Sequence, residues 1–358
     1  MRSLFITGFP GFLASEFIKK YSTNHAQTLR FHLLVQPKFQ EIAKKRAQEL
    51  ESQFSHIKIQ LHAGDLTQNF NDFLPNIEPL SDVFHFAAVY DLSTPKEIAY
   101  KVNVAGTQNL LNWLGSLKTQ PQLHYISTCY VSGKHPGFFT ESDLEVDQTF
   151  NNFYEETKFH AEVAVQKYLK SQGATKIYRP AIVVGNSTDG ATPKYDGPYF
   201  ILRWLLKQPG VSLLPVIGRI EDIELNVVPR DYIMNSMYYL SQPEVKGERV
   251  FQLSDPHPYT VKEILEHMQQ AIGQKIVKIP LPLTIAKFSL DYVPGVFQLM
   301  EIPSHAVDYF VHPTKYRARD TVEALREANI SCPSFDSYIQ QLARYVRENP
   351  KVPSMPMY

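Results

Sequence analysis

Short apolar runs alternate with amphipathic stretches throughout the first half of the chain, and this rhythm restricts the fold more than any other feature. Residues 4–7, 31–35, 57–62, 83–88 and 124–127, and a run opening at 176–178, read as strands. Helical periodicity fills 12–21, 39–53, a stretch near 98–117 and another near 154–171. Apolar strands separated by helices predict an α/β fold with a parallel sheet covered on both faces. The texture changes after Arg179. Of 25 prolines, 7 precede it and 18 follow it. Proline at that density blocks long regular elements, so a smaller, loop-rich lobe is expected there. Residues 225–228 and 249–253 read as strands or edges returning to the main sheet.

Charge and cysteine content remove several classes of function. Lys+Arg and Asp+Glu both number 36, so the formal net charge is zero and the basic footprint of a nucleic-acid binder is missing. Two cysteines, Cys129 and Cys332, can build neither a metal cluster nor a disulfide framework, and they suit a reducing, cytoplasmic setting. The apolar stretch 279–303 is broken by Lys287, Asp291 and several prolines, so it does not read as a bilayer span.

The first predicted strand runs into Thr7-Gly8-Phe9-Pro10-Gly11-Phe12-Leu13-Ala14, a G-x-x-G-x-x-A turn opening a helix. Gly8 lets the chain turn sharply, Gly11 lets backbone approach a pyrophosphate, and Ala14 lets the helix pack on the strand. Free N–H groups at the helix start favour an anion. The motif therefore predicts a Rossmann-type, doubly wound dinucleotide-binding domain over 1–185, with returning segments near 225–254. The substrate lobe is expected over 186–224 and 255–345, with a tail at 346–358. The end of the second strand reads Leu34-Val35-Gln36-Pro37-Lys38, with no acid before Glu41. NADP(H) is favoured, with Lys38 near the 2′-phosphate and NAD(H) as the alternative. The later bases Lys44, Lys45 and Arg46 read as a solvated helix face.

Tyr154 and Lys158 form Y-x-x-x-K, which places both side chains on one helix face. An ammonium beside a phenol is expected to lower the phenol pKa, so that it can exchange a proton with a carbonyl or alcohol. Tyr130/Lys134 has the same spacing, but Gly133 and Pro136 break any helix there. Thr128 or Ser127, at the end of the fifth strand, supplies a hydroxyl that could donate to the substrate oxygen.

These residues, in this order, resemble the extended branch of the short-chain dehydrogenase/reductase superfamily. The resemblance also takes in Asp65-Leu66, His85-Phe86-Ala87-Ala88, Asn103 with Gly106-Thr107, and Arg179-Pro180. It implies that Asp65 and Leu66 flank the adenine, that Ala87 and Ala88 line the dinucleotide, and that Arg179 and Pro180 border it. It also implies that Asn103 supports the active-site helix and that Lys158 binds the nicotinamide ribose. Gly11-Phe12-Leu13-Ala14, Leu33-Leu34-Val35, His85 to Leu92 and Ser127 to Val131 resemble the fatty acyl-CoA reductase and thioester reductase group, the male-sterility type. That group usually carries Arg where this chain has Gln36. The resemblance implies a reductase of a fatty acyl thioester or related long-chain carbonyl compound, and a homodimer. The alternatives are a sugar-nucleotide or hydroxysteroid-type enzyme on the same scaffold, or a dinucleotide sensor without turnover. The apolar segment 282–301 leans toward a lipid-like small-molecule substrate.

Overall fold

The structure, a computed structural model, describes residues 1–74, 77, 79–172, 174–245 and 249–354. Residues 355–358 of the expected tail lie outside the described residues. The chain divides into two compact units. The first comprises Met1–Val131, Phe153–Arg179 and Met234–Phe251; the second comprises Ser132–Asn152, Pro180–Ile233 and Gln252–Tyr358.

The first unit is built on a seven-stranded sheet. Its strands are β1 (Arg2–Thr7), β2 (Leu29–Val35), β3 (Ile57–Ala63), β4 (Asp82–His85), β5 (Gln122–Ile126), β6 (Thr175–Pro180) and β7 (Arg249–Leu253). They lie in the order β7-β6-β5-β4-β1-β2-β3. The pairs from β3 across to β6 are parallel. The fold is thus the expected Rossmann-type α/β sheet, with its topological switch between β1 and β4. Ligands of such sheets sit in the crevice beyond the carboxyl ends of the strands at that switch. Register places Thr7 of β1 beside His85 of β4 at that point. The apolar core around Phe5, Phe70, Trp113 and Leu110 covers the central strands, while β3 at the sheet edge alternates and turns Lys58 and Gln60 to solvent.

Four helices bear on the site: α1 (Phe12–Asn24), α2 (Gln40–Gln53), α3 and α4 (Phe153–Gln172). In α3, Lys96–Ala99, a π-helical segment Tyr100–Ala105 and Gly106–Ser116 follow without a break. The strand expected over 83–88 stops at His85, because the Ala87 N–H leaves the ladder and donates to the Thr7 hydroxyl at 3.1 Å.

The second unit packs helices Pro198–Leu206, Val261–Ile272 and Phe335–Glu348 around Tyr199, Leu265, Met268 and Leu342. Two expectations change here. The 225–228 region does not return to the main sheet: Val227–Pro229 pairs in parallel with Ile182–Val184 as a separate ribbon. The main-sheet edge beside β6 is already taken by β7. The expected tail begins inside the Phe335–Glu348 helix, where Val346 is buried on the apolar face.

Candidate active site

Beyond β1 the glycines do what the turn requires. Gly8 has φ +88, and a Cβ there would lie 2.8 Å from the Ala87 nitrogen. A Cβ on Gly11 would lie 2.5 Å from the Gly8 carbonyl oxygen, to which the Gly11 N–H donates at 2.7 Å. Helix α1 therefore starts close behind a bare backbone turn. Its first turn carries no acidic residue, so the N–H groups and dipole there favour an anion. Ala14 is buried, while Pro10, Phe12 and Leu13 stay partly open around the loop.

At the end of β2, Gln36 donates to Asp65 Oδ2 at 2.9 Å. Burial would raise the Asp65 carboxyl, but hydrogen bonds from Thr67 and Gln36 hold it below the ordinary carboxylate range. Leu66 is buried beneath it, against Gly106. Lys38 is exposed, with its ammonium 4.9 Å from the Phe39 ring centroid. The reading of Arg46 as part of a solvated face does not hold. Lys44 pairs with Glu41 on the surface, but Arg46 turns toward the glycine loop, where it donates to the Pro10 carbonyl and to Ser15 Oγ. A cation therefore stands at the glycine loop on a residue that sequence reasoning passed over. The signal available was its place on the helix face carrying the buried residues Ala43, Ala47 and Leu50.

The hydroxyl, the phenol and the lysine meet in the same unit. Thr128 follows β5, Tyr154 is the second residue of α4, and Lys158 lies one turn further on. Thr128 hydrogen-bonds Tyr154; Ser127 does not compete, because its hydroxyl donates to Glu162 at 2.5 Å. The expected lowering of the Tyr154 phenol is not found. Burial pushes it up to about 12, with the Thr128 hydrogen bond acting the other way. The Lys158 ammonium is engaged elsewhere: it donates to the Tyr125 hydroxyl at 2.9 Å and to the Ile126 carbonyl at 2.7 Å. Burial lowers Lys158 to about 7, and Glu162 opposes that. Tyr130 sits in a single 3-10 turn, Cys129–Ser132, so Tyr130 and Lys134 share no helix face.

Asn103 lies in the π-helical segment of α3. It accepts from the Val89 N–H at 2.8 Å and donates to the Val89 carbonyl and to Thr157 Oγ1. It thus ties the chain after β4 to α4, one residue from Lys158. Beside it, His85 bridges Thr7 Oγ1 (2.7 Å) and Thr107 Oγ1 (3.0 Å). Burial lowers His85 to about 3, so the ring is neutral and has one N–H. Thr107 gives its proton to the Asn103 carbonyl, so His85 Nε2 donates to Thr107 and Nδ1 accepts from Thr7. Sequence reading valued His85 only as part of a motif; its role as a buried bridge between the β1 and α3 hydroxyls was missed.

Ala87 and Ala88 are partly open beyond β4, beside the glycine loop. The Arg179 guanidinium is completely buried and held by Glu162, through Nε at 3.0 Å and Nη2 at 2.7 Å. Arg179 and Pro180 can therefore border a dinucleotide through main chain, not through the guanidinium. Among the described residues no cluster of His, Cys, Asp or Glu could hold a metal ion, and no helix is long and apolar enough to cross a membrane.

An NAD-binding family model described as "Male sterility protein" matches residues 6–237. A linear gramicidin synthase component of Brevibacillus parabrevis is 23% identical over 269 residues, 72% of this chain and 5% of that protein. Sterol-4-alpha-carboxylate 3-dehydrogenase, decarboxylating, of Candida albicans is 29% identical over 192 residues. The chain spans about half the length of that relative, 51%, with 52% of itself. Among solved structures, the terminal R domain from the myxalamid PKS-NRPS biosynthetic pathway has the same fold. It superposes with a TM-score of 0.78 at 23% identity, over 99% of this chain and 92% of that one.

Proposed function

The chain belongs to the male sterility family of NAD-binding, extended short-chain dehydrogenase/reductase enzymes, and from that premise we propose that it is an NADPH-dependent reductase of a fatty acyl thioester or a related long-chain carbonyl compound. The observation that carries it is the Tyr154 phenol, hydrogen-bonded to Thr128 at the start of the helix that also carries Lys158. Such a phenol can donate a hydrogen bond to a carbonyl oxygen as negative charge develops on it. When bound, the dihydronicotinamide supplies the hydride.

Thr128 and Tyr154 act together on the substrate oxygen: Thr128 orients the phenol, and Tyr154 gives its proton. Lys158, fixed by Tyr125 and Ile126, would hold the cofactor ribose. Asn103 is a positioning residue, since it reaches Thr157 and Val89 and not the reacting groups. Gly8 and Gly11 admit the pyrophosphate. Asp65 and Leu66 would flank the adenine, and Ala87 and Ala88 would line the dinucleotide. Arg46 at the loop and Lys38 beyond β2 would hold the 2′-phosphate, which would compensate for Gln36 standing where the group usually has Arg.

The lipid-like substrate is supported by the second unit. Helix Leu283–Tyr292 buries Ala286 and Leu290 and turns Ile285, Phe288 and Tyr292 outward. These three lie at i, i+3 and i+7, an apolar stripe that suits an acyl chain. The relative described as a sterol-carboxylate dehydrogenase favours a second reading, oxidation of a sterol-like alcohol.

The test is NADPH consumption against acyl thioesters and aldehydes of increasing length, sterols and UDP-sugars. Each buried methylene should add about 0.8 kcal/mol of affinity until the surface is filled. Tyr154→Phe should cost at least ~100-fold in turnover with NADPH affinity unchanged. A flat length profile, or turnover only of a sterol or sugar nucleotide, would replace this reading with the corresponding alternative.

A further inference from the structure

A buried polar chain runs through the first unit behind Lys158, and its middle member, Thr107, has no role above. Lys158, Tyr125, Thr107 and His85 are each at most 3% exposed. The Lys158 ammonium donates to the Tyr125 hydroxyl at 2.9 Å, and that hydroxyl in turn hydrogen-bonds Thr107. Thr107 Oγ1 meets His85 Nε2 at 3.0 Å and the Asn103 carbonyl at 2.6 Å. Burying so many polar groups beside a core of Phe5, Leu110 and Trp113 costs stability unless each is paired. The chain crosses from β4 through α3 and β5 to α4, the elements that lead into the site.

Its donors and acceptors can be assigned one by one. The Asn103 carbonyl has no hydrogen to give, so Thr107 donates to it. Thr107 Oγ1 then has two lone pairs left. His85 Nε2 donates to one of them. Burial holds the Tyr125 phenol well above its ordinary range, so it keeps its proton and donates it to the other. The Tyr125 oxygen therefore turns only lone pairs toward Lys158. An ammonium has three donors and no acceptor, so it requires such a partner. One of its hydrogens goes to Tyr125 and one to the Ile126 carbonyl at 2.7 Å, and these two fix the direction of the third. The Tyr125 ring supports the same ammonium, with its centroid 4.4 Å away.

We propose that Thr107 is a positioning residue for Lys158: acting through Tyr125, it keeps the phenol oxygen an acceptor and so fixes the direction of the ammonium. That Lys158 takes part in reduction rests on the reading above; its placement by Thr107 does not. The titratable groups around the Lys158–Tyr125 pair are Glu162 and Tyr154 of α4 and His85 of β4. Thr107 carries no charge, so its influence on Lys158 runs through the hydrogen bonds alone.

The test is the titration of Lys158 in the full chain. It is followed by the carbon-13 resonance of the lysine ε-methylene in protein made with labelled lysine, assigned by its loss in Lys158→Arg. In Thr107→Val the Tyr125 proton loses its acceptor and turns toward the ammonium, where a donor faces a donor. The charged form loses stabilisation, so the midpoint should fall by about one pH unit. It should fall at least as far in Tyr125→Phe, which keeps the ring, and should stay at the wild-type value in Thr107→Ser, which keeps the hydroxyl. Thr107→Cys, a poorer acceptor of similar size, takes the place of Thr107→Val if that variant does not fold. The double variant Thr107→Val/Tyr125→Phe should move the midpoint no further than Tyr125→Phe alone. A midpoint unmoved by loss of the Thr107 hydroxyl, or shifts that add in the double variant, overturns the inference. A reductase assay separates the two claims. If the midpoint moves as stated but no substrate is reduced, the placement stands and the reductase reading falls. If reduction follows one pH profile in wild type and variants and the midpoint is unmoved, the placement falls and the reductase stands.

Discussion

Removing the Glu162 carboxylate should be among the most damaging single changes in the first unit. Glu162 Oε1 accepts from Arg179 Nε at 3.0 Å, Arg179 Nη2 at 2.7 Å and Gln166 Nε2 at 3.1 Å. Its Oε2 accepts from Ser127 Oγ at 2.5 Å. Glu162 and Arg179 both have zero exposure. Glu162→Ala therefore removes three hydrogen bonds and a carboxylate from a fully buried guanidinium, at a cost of about 3–5 kcal/mol. A typical domain has a total stability of about 5–15 kcal/mol, so the loss is a large fraction of it. Glu162→Gln keeps the shape and one acceptor, and it should cost less. Glu162→Leu combined with Arg179→Met should recover most of the loss, because two apolar side chains of similar volume replace two desolvated ions. Guanidinium chloride unfolding followed by circular dichroism measures all three. A cost below about 1 kcal/mol for Glu162→Ala, or a double variant as unstable as the single one, would refute the argument. A second readout links this pair to the site. Glu162 lies one turn beyond Lys158 and opposes the lowering of its ammonium. In any variant that still folds, loss of Glu162 should move the Lys158 titration, and the limb it controls in the pH profile, to lower pH.

Arg46→Ala should weaken NADPH by roughly ten- to a hundredfold, the scale of one charge-assisted hydrogen bond of about 1.5–3 kcal/mol. NADH should change far less; equal loss for both nucleotides in fluorescence titration would mean that Arg46 only props the loop. Gly11→Ala places a Cβ 2.5 Å from the Gly8 carbonyl oxygen, so the loop must shift. Dinucleotide affinity should fall about tenfold, or about 1.4 kcal/mol, with the circular dichroism spectrum unchanged. Stability should also depend on His85. Its folded value is lowered to about 3 against an ordinary 6.5. Between those values the unfolded chain binds more protons, so the melting temperature should fall as pH drops below about 6.5. His85→Gln should flatten that slope, and an unchanged slope would remove His85 from the account.

Much of the fold was legible because its signals are local. A strand ending in Gly8, a helix starting past Gly11, and apolar runs too regular to be loops need only neighbouring residues to be read. The same holds for Tyr154 and Lys158, because i and i+4 share a helix face whatever surrounds the helix. Long-range placement decided the rest. Arg46 reads as one more base in a polar helix, yet its side chain meets the Pro10 carbonyl and Ser15 at the start of α1, far from it in sequence. Tyr154 was expected to be acidic from its spacing to Lys158. Burial and the competing partners Tyr125 and Ile126, which come from another strand, leave it protonated instead. Arg179 looked available to a cofactor until Glu162 closed over it from the helix above. Hydrophobic periodicity records which face of an element is covered. It does not record what covers that face, and pKa values and ion-pair partners depend on the covering groups.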